Sequence, residues 1–280
     1  MEIFKEIDAY RAWRSSRPPS ETVGFVPTMG ALHQGHLKLV ETSRESTTHS
    51  VVSIFVNPLQ FGPSEDFSRY PRPFEEDVRL CTEAGVSALF IPDAAHFYAT
   101  DHSTYCEVQG LDQHLCGATR PGHFRGVCTV VVKLFNIIQP HMTFFGQKDI
   151  QQALILKKMT RDLSLNLDFR IVPTVREDSG LALSSRNHYL SPDEKNAARS
   201  LFQGLAKAHA AFVKGEKSSS NLIAIVEQEI LASSPTRIDY IQIVSQHLLQ
   251  PVDSIQVPSV MAVAVYYGKT RLIDNFLVNP

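Results

Sequence analysis

Much of what marks a specialised chain is scarce in these 280 residues. No run approaches the ~18 consecutive apolar residues of a membrane-spanning helix, so no membrane span is expected. The first residues, MEIFKEIDAYRAWRSSRPP, lack the apolar centre of a secretory leader, and a cytoplasmic location is expected. Charge of one sign is also missing: 27 Lys and Arg stand against 29 Asp and Glu, a net charge of −2 without charge runs. That balance argues against a nucleic-acid partner and leaves small molecules as the expected ones. Cysteine is sparse. Cys81, Cys106, Cys116 and Cys128 are widely spaced with no CxxC, which fits reduced thiols rather than a disulfide framework. Cys128, inside GVCTVVVKLF, reads as a buried inert thiol. Repeats are absent, and low complexity is confined to KSSS at 217–220.

What remains is ordinary globular composition, 43% hydrophobic and 20% charged, in a chain long enough for two domains. Short β-branched runs alternate with helical patterns over the first two thirds. TVGFVPT (22–28), VVSIFV (51–56), SALFIP (87–92), MTFFG (142–146) and LDFRIVP (167–173) read as strands. Helical spacing fills 35–46, 74–85, 123–140 and 149–163. Strands alternating with helices predict βαβ units, and near-continuous apolar strands fit a sheet covered on both faces. The expected fold class is α/β, a Rossmann-like doubly wound parallel sheet followed by a smaller C-terminal α+β domain. In that second part a helix opens at SPDE with a Ser cap and Pro and runs to Gly215. A second helix (NLIAIVEQEILAS) and three strands follow, the last two joined by a Gly268-Lys269 turn. The expected domains are 1–175 and 176–280, the second acting as a lid.

In open α/β sheets ligands collect at the carboxyl ends of the strands. Polar residues gather in the segments just after the predicted strands: PTMGALHQGH, then Asn57 and Gln60 in NPLQF, then Gly146, Lys148 and Asp149 in GQKD with Gln152 beyond, then Ser184, Ser185 and Arg186. His33 and His36, spaced i, i+3 at a helix start, share one face. Free N–H groups and the helix dipole favour phosphate there, and imidazoles add donors. A buried structural pair and a metal site are the other readings of the histidines; the metal reading is weakest, because no acidic or cysteine cluster adjoins them. Lys148 can reach phosphate and Asp149 a ribose hydroxyl, or Asp149 merely caps a helix. Gln60 and Gln152 can hold a small polar substrate through their amides. Arg120, His123 and Arg125 in RPGHFRG are anion-contact candidates or plain surface charge. Asp77 is a possible Mg²⁺ contact, or a first-turn acid with no ligand.

The residues also carry a resemblance. HQGH resembles the HIGH element, and LSSR the KMSKS-like loop, of the nucleotidyl-transferring α/β superfamily that includes class I aminoacyl-tRNA synthetases. The ordered set FVPTMGALHQGH, SIFVNPLQF, YPR, RPGHFRGV, FGQKDIQQ, GLALSSRN and RLIDN resembles the pantothenate synthetases (pantoate–β-alanine ligases) over nearly the whole chain. The resemblance implies ATP-dependent condensation of pantoate with β-alanine through a pantoyl adenylate, with Mg²⁺ accompanying ATP, in a homodimer. It implies that Met29, Gly30, Ala31, Leu32, His33, Gln34, Gly35 and His36 form the nucleotide loop, with His36 as general acid. Gly146, Gln147, Lys148, Asp149, Val175, Leu183, Ser184, Ser185 and Arg186 complete the ATP site. His33, His36, Lys148 and Arg186 are then the catalytic set, while Gln60, Gln152, Asn57 and Met29 bind substrate. No protein metal ligand is implied. Gln147 stands where some members of the family have Glu. A nucleotidyltransferase with a stable nucleotidyl product and a nucleotide-binding module without chemistry are the competing readings. A tRNA-charging enzyme is disfavoured by the short chain and the absence of a basic face.

Overall fold

The computed structural model describes residues 1–63, 65 and 67–280, and for Ala94 and Ala95 the backbone alone. The strands are β1 (Glu2–Phe4), β2 (Val23–Thr28), β3 (His49–Ile54), β4 (Ala88–Phe90), β5 (Met142–Gly146), β6 (Asp168–Val172), β7 (Arg237–Ser245), β8 (Ser259–Tyr267) and β9 (Thr270–Val278). The helices are α1 (Ile7–Ser15), α2 (Gln34–Ser46), α3 (Phe74–Glu83), α4 (Ala94–Phe97), α5 (Leu115–Thr119), α6 (His123–Ile138), α7 (Ile150–Asp162), α8 (Pro192–Ala197), α9 (Arg199–Val213) and α10 (Ser219–Ala232). Among the described residues no helix is long and apolar enough to cross a membrane.

Contacts divide the chain into two compact units. The first comprises Met1–Gln109, Arg120–Gly146 and Ile155–Pro173, and the second Gly110–Thr119, Gln147–Leu154 and Thr174–Pro280. Two short segments from the first two thirds of the chain join Thr174–Pro280 in the second unit. Side chains explain why. Gln151 donates to Leu111 O and His114 O, both at 2.9 Å, and Asn275 on β9 donates to Gln147 O and Lys148 O.

The first unit holds an all-parallel sheet in the order β1-β4-β3-β2-β5-β6. Its apolar strand residues are buried as the continuous runs require: Val26, Val52, Leu89 and Phe144 pack with Leu39 and Val40 of α2 and with Cys81. Each such side chain contributes about 1.5–3 kcal/mol on burial. The chain steps outward from β2 through β3 to β4, then returns to β5 on the other side of β2. The order therefore reverses between β2 and β5, the place where an open α/β sheet offers its ligand crevice. Strand β1 is absent from the sequence reading because three half-exposed residues show no usable alternation.

In the second unit β7-β8-β9 form an antiparallel sheet, with Met261, Val263 and Val265 buried against Leu201 and Leu205 of α9 and Leu222 of α10. The two-residue turn at Gly268-Lys269 is present, with Tyr267 paired to Thr270. The expected single helix from Ser191 is two. Ser191 and Glu194 form the reciprocal cap, but the Ala198 N–H is shared between Glu194 O and Asn196 O, and α9 starts afresh at Arg199.

Candidate active site

Strand β2 ends at Thr28, whose hydroxyl donates to Ser53 O (2.7 Å) and accepts from Gly30 N (3.2 Å). The chain then turns through two left-handed residues, Gly30 (φ 82°) and Ala31 (φ 51°). Asp77, in the first turn of α3 and 1% exposed, holds this turn. Its carboxylate accepts from Ala31 N at 2.9 Å and from Leu32 N at 2.7 Å. A Cβ on Gly30 would lie 2.8 Å from Asp77 Oδ2, so the glycine is needed for space as well as for its backbone angle. Burial pushes the Asp77 carboxyl above its ordinary value, more than the two backbone bonds lower it. Sequence reasoning weighed Asp77 as a magnesium contact; the structure makes it an anchor with both oxygens engaged.

Helix α2 follows at once. His33 is its N-cap in an extended conformation (φ −143°), and its Nδ1 accepts from Gly35 N at 3.1 Å. His36 returns the bond: its Nδ1 accepts from His33 N at 3.3 Å. This is a capping box built from imidazoles, with ring centroids 4.1 Å apart. Because each Nδ1 accepts a backbone N–H, the proton of each neutral ring is assigned to Nε2. The structural and phosphate readings of the histidine pair are therefore compatible, since the pair caps its own helix and keeps Nε2–H donors.

Beyond β3, Asn57 caps a 3₁₀ turn at Pro58–Gln60. Asn57 is 1% exposed, and its amide bonds Gln60 Oε1 (3.0 Å) and Gly126 O (3.1 Å). Gln60 Nε2 reaches Met29 Sδ at 3.2 Å. Met29, Asn57 and Gln60 are thus brought together. Gly126 permits it: a Cβ there would meet Leu59 O at 2.1 Å, so α6 packs on this turn only as glycine.

The basic residues of RPGHFRG are engaged within the protein. Arg120 grips Glu65 through two bonds of 2.6 and 2.7 Å and donates to His123 Nε2 at 2.9 Å; His123 Nδ1 lies 2.7 Å from Gln60 O. Arg125 stacks 3.9 Å over the Tyr105 ring. Burial raises the Glu65 carboxyl, but Arg120's bonds and charge outweigh it and hold the group below its usual range.

In the second unit, Gln147–Asp149 form a 3₁₀ turn clamped by Asn275, which is 2% exposed. Its Nδ2 donates to Gln147 O (2.9 Å) and Lys148 O (3.0 Å), while its Oδ1 accepts from Gln147 Nε2 (3.3 Å). Lys148 Nζ lies 3.6 Å from Asp149 Oδ1, and Asp149 is exposed. Gln152 sits half-buried on α7. Val175 and Leu183 are joined by a backbone bond of 3.0 Å, and Ser184 caps the turn that carries Ser185 and Arg186. Arg176 braces the segment, bonding Asp274 at 2.6 and 2.9 Å and lying over Phe202 and Phe276. Asn275 and Asp274 were not singled out as functional from sequence. The signal was there, as two adjacent polar residues inside an apolar strand pattern, TRLIDNFLV.

Set beside known proteins, residues 2–277 match the family model described as pantoate-beta-alanine ligase. The chain belongs to the pantoate–β-alanine ligase family. The pantothenate synthetase of Pelotomaculum thermopropionicum is 50% identical over 279 residues, covering 99% of each chain, and that of Thermotoga petrophila is 46% identical over 99% of this chain and 100% of its own. Among solved structures, pantothenate synthetase from Thermus thermophilus superposes with a TM-score of 0.94 at 43% identity, covering all of both chains. The pantoate-beta-alanine ligase of Francisella tularensis, complexed with beta-gamma ATP and beta-alanine, gives 0.80 at 31% identity over 99% of this chain and 97% of its own. Membership in the pantoate–β-alanine ligases at this coverage makes the chain an enzyme that joins pantoate to β-alanine, and it confirms the α/β fold with its small C-terminal sheet.

Proposed function

We propose that the ligase works in two ATP-dependent steps. A pantoate carboxylate oxygen attacks the α-phosphorus of ATP and the bond to the β-phosphate oxygen breaks, giving pantoyl adenylate and pyrophosphate. The β-alanine amine then attacks the activated carbonyl, loses a proton, and expels AMP. The observation that carries this reading is the α2 start, where His33 and His36 close a capping box at the helix N-terminus directly after β2. His33, His36, Lys148 and Arg186 offset charge on the phosphates and on departing pyrophosphate. The helix start from Met29 through Gln34 to His36 receives the nucleotide, with Gly146, Gln147, Asp149, Val175, Leu183, Ser184 and Ser185 completing its contacts. Gln60 and Gln152 hold pantoate, with Met29 and Asn57 flanking Gln60. No side-chain nucleophile is needed, so orientation supplies much of the rate, effective molarities of ~10⁵–10⁸ M being within reach.

Mg²⁺ enters as the partner of the ATP phosphates. Among the described residues no group of three His, Cys, Asp or Glu is placed to hold a metal, and both Asp77 oxygens accept from backbone N–H groups. Residues 176–190 are the proposed segment that keeps water from the adenylate. The F. tularensis relative was solved with its ATP ligand and β-alanine, which supports both as substrates here. A homodimer in a reducing cytoplasm completes the proposal.

The decisive experiment is isotope exchange between pyrophosphate and ATP. Exchange that requires pantoate and proceeds without β-alanine is the expected result. Exchange indifferent to pantoate overturns the adenylate step.

A further inference from the structure

The orientation of the Gln60 amide is dictated by backbone groups two bonds away. Asn57 Oδ1 accepts from Leu59 N–H at 3.3 Å, and an N–H can only donate. Asn57 Nδ2 donates to Gly126 O at 3.1 Å, and a carbonyl can only accept. The Asn57 amide therefore has one permitted orientation. Its Nδ2 also meets Gln60, so Gln60 must present Oε1 to it, at 3.0 Å. Gln60 Nε2 is left facing the other way, against Met29 Sδ at 3.2 Å. The Tyr98 hydroxyl closes the chain, donating to Asn57 Oδ1 at 2.9 Å. Burial raises the Tyr98 phenol above its ordinary value, which keeps the hydroxyl a donor.

We infer that Tyr98 and Asn57 are positioning residues that lock Gln60 with its NH₂ toward substrate, so that Gln60 selects an acceptor oxygen on the pantoate. The inference rests on the proposal that Gln60 meets pantoate. A thioether is a weak acceptor, so Gln60 Nε2 gains by exchanging Met29 Sδ for a carboxylate or hydroxyl oxygen. Gln60 is 8% exposed and Asn57 1%, so an amide flip would strand buried groups: Gly126 O and Leu59 N–H would each face a like partner. The site is thereby specific for polarity as well as for shape. A ligand that offers only a donor at this point meets two N–H groups and no acceptor.

Three variants test this in the full enzyme, with KM for pantoate, KM for ATP and Tm measured on each. Tyr98→Phe removes one hydrogen bond, and is expected to raise the pantoate KM about 3- to 10-fold with the ATP KM unchanged. Asn57→Asp turns the donor toward Gln60 into an acceptor, so Gln60 must present Nε2 to it and Oε1 to the substrate; a rise of at least ~30-fold in pantoate KM is expected. Gln60→Glu places an anion against an anion and is expected to raise it at least ~100-fold. In wild type labelled with ¹⁵N, pantoate alone is expected to move the Gln60 side-chain NH₂ protons downfield, a response that a purely structural glutamine would not give. Unchanged pantoate KM in Gln60→Glu removes the substrate reading and this inference with it. Impairment of Gln60→Glu beside wild-type pantoate KM in both Tyr98→Phe and Asn57→Asp overturns the inference alone. So does a rise in ATP KM that matches the rise for pantoate, because that is general loosening of the site.

Discussion

Asp77→Asn is the smallest change that separates an anchor from a metal ligand. The side chain keeps its size and one carbonyl oxygen, but the other oxygen becomes an NH₂ set against a backbone N–H. Two bonds are at stake, from Ala31 N at 2.9 Å and Leu32 N at 2.7 Å, in a place 1% exposed where water cannot substitute. Losing one bond to a charged acceptor costs about 1.5–3 kcal/mol, and weakening the other to a neutral bond adds roughly 0.5–1 kcal/mol. Ala31 would then hold its left-handed angle unsupported, itself a strain of order 1 kcal/mol. Neutralising the buried carboxylate relieves its desolvation and returns roughly 1 kcal/mol, so a net loss of about 2–4 kcal/mol follows, which lowers Tm by roughly 4–16 °C at about 2–4 °C per kcal/mol for a chain of this size. The turn leads directly into His33, so pantoate-dependent pyrophosphate exchange should fall about 10- to 100-fold, the scale of a 1 Å misplacement. Thermal melts and the exchange assay, each repeated over a range of Mg²⁺, read both. Unchanged Tm with activity restored by excess Mg²⁺ would make Asp77 a metal ligand and refute the anchoring argument.

Lys148→Ala should cut the adenylation half-reaction at least ~10²-fold, the effect of removing one charge-stabilising donor, with Tm little changed; an unaltered exchange rate takes Lys148 out of the mechanism. Gln147→Glu exchanges the donor facing Asn275 Oδ1 for a carboxylate, while Asn275 Nδ2 is committed to two carbonyls. It should cost about 1–2 kcal/mol by urea unfolding, and unchanged stability would show that the clamp does not depend on that bond. Glu65 sits below its ordinary 4.5 because of Arg120, so its contribution is present above pH 4.5 and lost as pH falls through the lowered value. Glu65→Gln should therefore lower stability at pH 7 and leave a shallower acid loss, seen as melts against pH; parallel curves for the two proteins would contradict this.

The parallel sheet was legible because its strands are buried on both faces and write themselves as apolar runs. Val51 and Val52 in VVSIFV and Phe144 and Phe145 in MTFFG could be placed without any tertiary information. Strand β1 could not, since Glu2, Ile3 and Phe4 make a strand only by pairing with Ala88, Leu89 and Phe90. The break at Ala198 was hidden for a related reason. Helical propensity and amphipathic spacing continue across PDEKNAARSLF, so only the shared hydrogen bond at Ala198 marks the restart.

The site divides along the same physical line. Groups that would touch substrate show in the sequence through type and place: His33, Gln60 and Lys148 follow predicted strands, where polar side chains have no packing reason to gather. Groups that hold those residues do not show, because their partners lie on distant segments of the chain. Asp77 reaches back 46 residues to Ala31, Tyr98 reaches back 41 to Asn57, and Asn275 reaches back 128 to Gln147. Periodicity gives only weak notice of such a residue, as a buried polar side chain on an element that should be apolar. Asp77 on α3 and Asp274 and Asn275 on β9 are of that kind. The charges in RPGHFRG show the converse. Their density left anion contact and plain surface charge both open, and in the structure Arg120 and His123 form a chain from Glu65 to the Gln60 carbonyl. A cation there serves the turn that carries Gln60, a segment far along the chain from where the sequence displays the charge.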